Sequence, residues 1–258
     1  MKKKEVLIII PAYNEASTIG SLLDELEKPE ISHYADILVM NDASTDGTSD
    51  IVRKRGHAVV THIYNLGYGS GLQLGYKYAK RNDYKYVIQM DADGQHDASN
   101  VKLLYKALTT PDENGNTPDI VLGSRLIPGA PEYPMSRIRR FASGLFSLVI
   151  KIFTHKKIYD TTTGLQGLNK SAFGFYSKYN HFDDKYPDAN MLIQMLMLDF
   201  RVKEIPALMH TRAVGKGMHS GLKPVVYMIR MVYSMIAVWL RVKLFKQDKE
   251  EAAHAKNI

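Results

Sequence analysis

The 258-residue sequence contains no cysteine, and this absence excludes disulfide bonds and thiolate metal ligands from the whole chain. Any metal site must therefore be built from carboxylates, amides or histidines. The N-terminal segment also lacks the apolar stretch and small-residue cleavage site that a signal peptide requires. We therefore predict a protein that stays in the cytoplasm.

Long uncharged apolar runs are missing as well. The longest such run near the C-terminus, residues 231–240, is half of the ~20 residues that a membrane-spanning helix needs, so we predict no membrane span. Acidic residues are too few to balance the basic ones, and the net charge is +7. Basic clusters of this kind suit a phosphorylated substrate, anionic lipid or nucleic acid. The basic residues concentrate at Arg137, Arg139, Arg140, Lys151, Lys156 and Lys157, and again at Lys223, Arg230, Arg241, Lys243 and Lys246.

Short apolar runs alternate with amphipathic stretches through the first half of the chain. Strands are predicted at residues 6–10, 37–40, 58–61, 86–90 and 119–122, with helices at 18–26, 48–55 and 72–80 between them. Ser17 is the expected N-cap of the first helix. This alternation implies right-handed crossovers and a mainly parallel sheet with helices on both faces. The predicted fold class is therefore α/β, with a Rossmann-like central sheet.

Polar loops follow three of the predicted strands, at residues 11–15, 41–46 and 91–97. Because ligands bind beyond the carboxyl ends of parallel strands, we expect these loops to converge on one site. Asp91 and Asp93 are one residue apart and can bind one hard cation, Mg²⁺ or Mn²⁺. Such a cation would bridge the phosphates of a bound diphosphate. Asp42 is the expected ligand-binding residue of the second loop, and the glycines of residues 67–75 are expected to let backbone approach the ligand.

Two further helices, predicted at residues 136–153 and 223–245, are unusually apolar. On the first, a narrow polar stripe is formed by Ser136, Arg140, Ser143, Ser147 and Lys151. The rest of each helix is too apolar for an ordinary surface helix. We expect both helices to be buried against protein or to lie in a bilayer interface.

Several motifs occur in order along the chain and together resemble glycosyltransferase family 2, which has the GT-A fold. The first half contributes Pro-Ala-Tyr-Asn-Glu at 11–15, Asn-Asp-Ala-Ser-Thr-Asp-Gly-Thr at 41–48, Asp-Ala-Asp-Gly-Gln-His at 91–96 and Gly-Ser-Arg at 123–125. The second half is similar to dolichol-phosphate and polyprenyl-phosphate sugar synthases, through Arg139, Ser143, the segments 160–166 and 186–188, and Arg212. The resemblance extends over residues 4–222.

This resemblance implies an inverting transfer of sugar from a UDP- or GDP-sugar donor to a polyprenyl phosphate in cell-envelope synthesis. It also implies roles by position. The nucleoside would be held by Pro11, Tyr13, Glu15 and Asp42, and the divalent metal by Asp91, Asp93 and Gln95. The lipid phosphate would be contacted by Arg125, Arg139 and Ser143, and the donor diphosphate or the acceptor by Arg212. The expected catalytic residues are Asp93, Arg125, Asp188 and Arg212. Three positions depart from the common pattern and leave the identity of donor and acceptor open: Asn41, Gln166 and Asp188.

The chemistry of the acceptor separates the alternatives. A phosphate monoester is already anionic at neutral pH, so it needs positioning cations such as Arg125 and Arg139 but no general base. A saccharide hydroxyl would need a carboxylate base, for which Asp188 is the candidate. A non-catalytic nucleotide-binding protein is the remaining alternative. Nucleic acid is not expected, because the acidic loops lie where its phosphates would bind.

The predicted domain organisation has a catalytic domain at residues 1–222 and an amphipathic helix with a charged tail at 223–258. The nucleotide-sugar half ends near residue 125 and the acceptor half begins near 126. We expect the protein to be peripheral on the cytoplasmic face of the membrane, anchored directly or through an integral membrane subunit. The sequence is also compatible with a homo-oligomer.

Overall fold

The computed structural model describes residues 4–211, 223–245 and 247–256. The strands are β1 (Val6–Ala12), β2 (Ala35–Asn41), β3 (Ala58–Thr61), β4 (Tyr86–Gln89), β5 (Ile120–Ser124), β6 (Gln166–Asn169) and β7 (Val202–Pro206). The helices are α1 (Ile19–Leu26), α2 (Pro29–Ser32), α3 (Thr48–Lys54), α4 (Tyr68–Arg81), α5 (Ser99–Thr109), α6 (Arg137–Thr154), α7 (Lys170–Tyr176), α8 (Ala189–Met197), α9 (Lys223–Leu244) and α10 (Gln247–Lys256).

The strands form a single sheet in the order β3-β2-β1-β4-β6-β5-β7. All neighbours are parallel except β6, which runs antiparallel to both β4 and β5. One hydrophobic cluster lies between the sheet and α1, α3 and α5, and the other lies beneath α4 and α6 to α10. The predicted α/β class with a mainly parallel sheet is thus confirmed.

The predicted strands and helices of the first half lie within a few residues of the observed ones, but Ser17 is not the N-cap of α1. Thr18 occupies that position, and its hydroxyl bonds to Glu15 rather than capping the helix. Sequence patterns did not indicate β6, β7 or α10. β6 is a four-residue strand of sequence Gln-Gly-Leu-Asn, and β7 is a partly exposed edge strand that carries two charges. Strands this short and polar carry little of the hydrophobic periodicity on which sequence prediction depends.

Helix α6 is amphipathic, as predicted, and two serines of its polar stripe face inward, whereas Ser136, Arg140 and Lys151 are exposed. The hydroxyls of Ser143 and Ser147 donate to the carbonyls of Tyr159 and Ile158. The side chains on the opposite face are apolar and exposed; they are Ile138, Phe141, Leu148 and Ile152. Two serines can face the interior because backbone carbonyls satisfy their hydroxyls.

Helix α9 corrects the expectation that no segment is long enough to cross a membrane. Val225–Leu244 is 20 residues long and contains an 18-residue window with a mean hydropathy of 1.6, sufficient by length and composition alone. The longest uncharged run is shorter than this apolar segment, because isolated arginines such as Arg230 interrupt the run while the segment stays apolar on average. One face of α9 packs on the domain through Met231, Met235 and Val242. Its other face exposes Val226, Ile229, Tyr233, Ile236, Leu240 and Leu244.

The C-terminal residues form a helix rather than a simple charged tail. Ala252 and Ala255 of α10 are buried in the same hydrophobic cluster as the residues of α7. Arg241, predicted as part of a basic surface cluster, instead pairs with Asp248 at 2.7 Å and fastens α10 to α9. The proposed domain boundary after residue 222 stays a prediction, since residues 212–222 lie outside the described ranges.

Candidate active site

The three polar loops meet at the carboxyl ends of β2, β1 and β4, which are adjacent in the sheet. The first two loops are joined directly, because the Asn14 backbone N–H donates to Ser44 Oγ at 2.9 Å. In return, the Thr45 N–H donates to Asn14 Oδ1 at 2.9 Å. Asn14 and Ala43 both adopt left-handed backbone conformations, with φ of 56° and 60°, which turn the two loops toward each other. The sheet topology therefore places the first two loops against each other and the third beside them.

Asp42 is buried, and its carboxylate accepts hydrogen bonds from other residues of the protein. Its Oδ1 accepts hydrogen bonds from His62 Nδ1 and the Leu66 N–H, both at 2.8 Å, and its Oδ2 accepts from the Gly67 N–H at 2.9 Å. These bonds fix the loop that leads into α4. The residue predicted to bind the ligand thus shapes the wall of the site.

The glycines at positions 67, 69 and 75 serve contacts within the protein, and the predicted approach of a ligand to this backbone stays a prediction. A Cβ on Gly69 would lie 1.9 Å from the carbonyl oxygen of Asp183, and one on Gly75 would lie 2.8 Å from the Ile9 side chain. Gly67 has a φ of 100° and begins the helix. The glycines therefore let α4 pack tightly against β1 and the loop before α8.

Asp91 lies against residues from three separate segments of the chain. Its Oδ1 accepts a hydrogen bond from the Tyr68 hydroxyl at 2.8 Å, and its backbone N–H donates to His96 Nδ1 at 2.9 Å. Gln89 Nε2 donates to the same Tyr68 hydroxyl at 3.1 Å. A Cβ on Gly164 would lie only 2.6 Å from Asp91 Oδ2, so the loop after α6 also contacts this carboxylate. The sequence did not indicate Tyr68, and it indicated Gly164 only as part of the segment 160–166, because each contacts Asp91 from a distant position in the chain.

Asp93 and Gln95 continue the same turn. Asp93 Oδ1 accepts the Gln95 N–H at 3.1 Å, and Gln95 Nε2 donates to the Tyr133 hydroxyl at 2.7 Å. The His210 N–H donates to the Gln95 carbonyl at 2.7 Å, so the segment after β7 lies against this turn.

The acidic turn fits a hard divalent cation in its chemistry, because Asp91 and Asp93 offer partly exposed carboxylate oxygens. Within the described ranges, no group of three or more histidine, aspartate or glutamate side chains is arranged to hold a metal. The donor set is thus incomplete by itself, as expected where a ligand's phosphate oxygens and water complete the coordination.

Arg125 lies at the end of β5 in a bidentate ion pair. Its Nε and Nη2 donate to the two carboxylate oxygens of Asp160 at 2.7 and 2.8 Å, and Asp160 is fully buried. The hydrogen bonds and charge of Asp160 outweigh burial and raise the pKa of the Arg125 guanidinium. Arg125 therefore keeps its charge and has one fixed orientation, with much of its hydrogen-bonding capacity already used.

The other residues predicted to contact the acceptor lie on or near α6. Ser143 is buried and its hydroxyl is bonded to Tyr159, as described above. Arg139 is exposed one turn earlier, where no side-chain partner occurs among the residues that the structure describes. The two side chains thus differ sharply in their access to a ligand. Arg212 lies outside the described residues.

Asp188 stands at the start of α8, with its charge influenced by both Asp91 and Arg125. Burial raises the pKa of its carboxyl to about 6, and the hydrogen bond from the Tyr227 hydroxyl lowers it in part. Asp188 occupies the N-cap position of α8, yet its side chain makes no capping bond. Its carboxylate instead accepts from α9, a partner that the sequence did not suggest.

The first loop supplies the residues predicted to hold a nucleoside. Pro11 is the second-last residue of β1, and Tyr13 is exposed immediately beyond the strand. The Glu15 N–H donates to Thr48 Oγ1 at 3.0 Å, and its carboxylate accepts from the Thr18 hydroxyl. Asn41, beneath them, donates to Ser49 Oγ at 2.7 Å and accepts from the Ser44 N–H at 3.2 Å. A carboxylate at position 41 could not make both bonds, since it has no N–H to donate.

Comparison with known proteins agrees with this geometry. Residues 7–176 match the sequence family Glycosyl transferase family 2. The undecaprenyl-phosphate mannosyltransferase of Micrococcus luteus is 28% identical over 84% of this chain and 88% of its own length. The dolichyl-phosphate beta-glucosyltransferase ALG5C of Trichomonas vaginalis is 26% identical over 94% of this chain and 74% of its own.

Solved structures share the fold. The glucosyl-3-phosphoglycerate synthase of Mycobacterium tuberculosis, in complex with Mn²⁺ and UDP-glucose, aligns with a TM-score of 0.63 at 18% identity over 92% of this chain and 79% of its own. The mannosyltransferase PcManGT of Pyrobaculum calidifontis, in complex with GDP-mannose and Mn²⁺, aligns with a TM-score of 0.57 at 18% identity over 98% and 74%.

The sheet and its structural neighbours define an α/β protein with the GT-A fold. Because the family match extends over more than half of the chain, the protein belongs to glycosyl transferase family 2. The predicted similarity to polyprenyl-phosphate and dolichyl-phosphate sugar synthases is confirmed.

Proposed function

We propose that the protein transfers a sugar, with inversion, from a UDP- or GDP-sugar to a polyprenyl phosphate. The observation that carries the proposal is the surface around Arg139. This exposed cation lies on α6, which also exposes the apolar side chains of Ile138 and Phe141. A cation bordered by apolar surface matches the chemistry of an acceptor that carries a phosphate on a prenyl chain.

The donor half would be formed by the three loops. Asp91 and Asp93 would hold Mg²⁺ or Mn²⁺, with Gln95 supporting the turn, and the cation would neutralise the diphosphate as it leaves. Pro11, Tyr13 and Glu15 would border the nucleoside, and Asp42 would contribute by fixing the neighbouring loop. The structures in complex with Mn²⁺ and a nucleotide sugar support this assignment.

The acceptor half would depend on charge and orientation. Arg139 is free to contact the acceptor phosphate directly, whereas Arg125 would present its remaining donors from a fixed ion pair with Asp160. Ser143 would act indirectly, because its hydroxyl holds the segment that leads to Asp160. Relatives named for undecaprenyl-phosphate and dolichyl-phosphate substrates support a lipid phosphate as acceptor. The phosphate oxygen attacks the anomeric carbon, and the nucleoside diphosphate departs from the opposite face.

A hydroxyl acceptor is the second candidate, and the state of Asp188 favours it. With a pKa raised to about 6, this carboxylate is ionised at neutral pH yet is a stronger base than an ordinary aspartate. It could accept the proton of a saccharide hydroxyl. In that case an Asp188→Asn variant would retain donor binding and lose transfer to the saccharide.

The deciding experiment supplies purified protein with UDP- and GDP-sugars, with and without polyprenyl phosphate, and measures nucleotide release and the formation of a charged glycolipid. We expect both products only when lipid phosphate is present. Nucleotide release that is indifferent to the lipid phosphate would count against this acceptor. If Asp91→Ala and Asp93→Ala left donor binding and its Mn²⁺ dependence unchanged, a non-catalytic nucleotide-binding role would be favoured instead.

The same surface suggests where the protein acts. The exposed apolar faces of α6 and α9 would rest on the cytoplasmic face of the membrane, with Arg137, Arg140 and Arg230 close to lipid phosphates. Attachment of this kind would bring the site to a lipid acceptor. An integral membrane subunit or a homo-oligomer would add to this attachment.

A further inference from the structure

Helix α9 reaches the active site from its buried face. Tyr227 and Ser234 are seven residues apart, so they lie on the same side of the helix, two turns from each other. That side packs on the domain, next to the buried Met231 and Met235. The opposite side carries the exposed apolar residues, including Tyr233, which is 75% exposed.

Both of these α9 residues act on Asp188. The Tyr227 hydroxyl donates directly to Asp188 Oδ2. Ser234 acts through Asn190, whose Nδ2 donates to Ser234 Oγ at 3.0 Å and whose Oδ1 accepts the Asp188 N–H at 3.0 Å. Asn190 is buried, and its Nδ2 also donates to Asp183 at 2.9 Å. The side chain and the backbone of Asp188 are thus held from the same helix.

The contacts around Tyr227 restrict its ring as well. The ring meets Phe146 of α6 edge-on at a centroid distance of 6.1 Å, and it meets Tyr186 in the same way at 5.8 Å. These contacts would remain if the hydroxyl alone were removed. A Tyr227→Phe variant therefore tests the hydrogen bond without opening a cavity.

From these contacts we infer that Tyr227 is a positioning residue for Asp188. Ser234 contributes to the same positioning more weakly, through Asn190. The helix that exposes an apolar face to the outside holds the active-site carboxylate on its inner face, so α9 is part of the catalytic apparatus. This inference rests on the proposed glycosyl transfer, with Asp188 among its catalytic residues and its carboxylate influenced by the charges of Asp91 and Arg125. Correct orientation matters because small displacements of a catalytic group lower the rate far more than they weaken binding.

The test is a double-mutant cycle on the full chain with Tyr227→Phe, Asp188→Ala and the two changes together. Loss of a hydrogen bond to a charged group predicts that Tyr227→Phe lowers kcat about tenfold. The KM for the nucleotide sugar should stay within about twofold, since Tyr227 contacts Asp188, Phe146 and Tyr186, which lie outside the donor loops. In the Asp188→Ala background the same Tyr227→Phe change should have no further effect. Ser234→Ala should lower kcat by a smaller factor.

Tyr179→Phe is the matched control, because it removes the hydroxyl of a tyrosine that is 83% exposed and lies outside α9. It should leave kcat unchanged. A kcat for Tyr227→Phe equal to that of the original protein would overturn the inference. The inference would also be overturned if the decreases in kcat caused by Tyr227→Phe and by Asp188→Ala multiplied in the double variant.

Urea unfolding of the same four proteins provides a readout that needs no activity. If Tyr227 acts on Asp188, Tyr227→Phe should shift the unfolding midpoint less in the Asp188→Ala background than in the original chain. Equal shifts in both backgrounds contradict the contact. Failure of the original protein to glycosylate polyprenyl phosphate would instead count against the proposed acceptor, and the unfolding cycle would still decide the role of Tyr227.

Discussion

At the residue scale, the site depends on side chains that were evident in the sequence and on neighbours that were not. Asp91 and Asp93 are identifiable from their spacing after a strand. The Asp91 carboxylate, however, takes its orientation from the Tyr68 hydroxyl and from the close approach of Gly164. These two residues are 23 positions before it and 73 after it, if counted along the printed chain. Local pattern carries no information about contacts of that kind.

Gly164→Ala tests the close approach at Asp91. The new methyl group would stand 2.6 Å from Asp91 Oδ2 and 3.1 Å from the Tyr68 hydroxyl, so the carboxylate must move. We expect Mn²⁺-dependent donor binding to weaken by about tenfold or more, measured by calorimetry. Gly144→Ala is the control, because a Cβ at that position of α6 meets nothing within 4 Å. Equal donor affinities for the two variants would contradict the expected displacement of Asp91.

Asp188 predicts a pH dependence of stability. Its pKa is raised in the folded protein from 3.8 to about 6, so protonation favours the folded state. The stabilisation is complete below about pH 4 and is lost as the pH rises through about 6. Relative to the original protein, Asp188→Asn should therefore gain stability across this range, on the order of 3 kcal/mol. Urea unfolding in the presence of a chelator measures the difference.

The control for this titration is Asp184→Asn, which removes an exposed carboxylate from the same loop. Relative to the original protein, this variant should not gain stability between pH 4 and pH 7 as Asp188→Asn does. A flat difference for Asp188→Asn would show that burial does not raise this pKa.

At the element scale, the C-terminal helices are held to the domain by ion pairs, which their charged composition did not indicate. Arg241 donates to Asp248 and also to the Asn180 carbonyl, at 2.7 Å in each case. Glu251 of α10 pairs with Lys178 at 2.9 Å and with His181 at 3.0 Å. The charged segment is thus a helix held in place by specific ion pairs. Since α10 lies on α7 and follows α9 directly, these bonds also hold the end of α9 against the domain.

Arg241→Ala should destabilise the protein by about 2 kcal/mol, because it leaves the buried Asp248 carboxylate without its partner. The estimate is reduced from the value for a fully buried pair, since Arg241 is 32% exposed. Lys243→Ala is the control: this exposed lysine lies over the Trp239 ring and should change stability by less than about 0.5 kcal/mol. Chemical unfolding measures the stability of both variants. Equal losses of stability would refute a specific contribution of the Arg241–Asp248 ion pair.

At the scale of the whole molecule, apolar surface is concentrated on one side of the sheet. Exposed apolar side chains on α6 and α9 belong to the elements that also hold Arg139 and brace Asp188. The opposite side of the sheet is covered by α1, α3 and α5, where exposed large apolar residues such as Leu103 are isolated. The asymmetry places the proposed acceptor half of the site next to the surface best suited to lipid.

Vesicle sedimentation tests this surface. Phe141→Ser combined with Ile229→Ser removes two side chains that are 66% and 67% exposed. Because each fully buried side chain of this size contributes about 1.5–3 kcal/mol, binding to vesicles of anionic phospholipid should weaken by at least about tenfold. The unfolding free energy should be unchanged. Leu103→Ser on the far side is the control, and equal binding by both variants would place the lipid contact elsewhere.

The sequence alone determined the features that depend on local order. Apolar runs determined the positions of β1, β2, β4 and β5, because a buried strand must be apolar along its length. The acidic turn at Asp91 and Asp93 was equally evident from its position after a strand. Motif spacing also sufficed to identify the glycosyltransferase family.

Only the tertiary structure decided the features that depend on distant contacts. It placed the antiparallel β6 within the sheet, turned the serines of α6 inward, and assigned Arg241 to an ion pair rather than a basic surface. It also brought Tyr227 to Asp188 across 39 positions of sequence. The physical reason is the same in each case. A polar side chain can be buried or exposed according to whether the fold brings it a hydrogen-bonding partner, and that partner is set by packing rather than by neighbours in the chain.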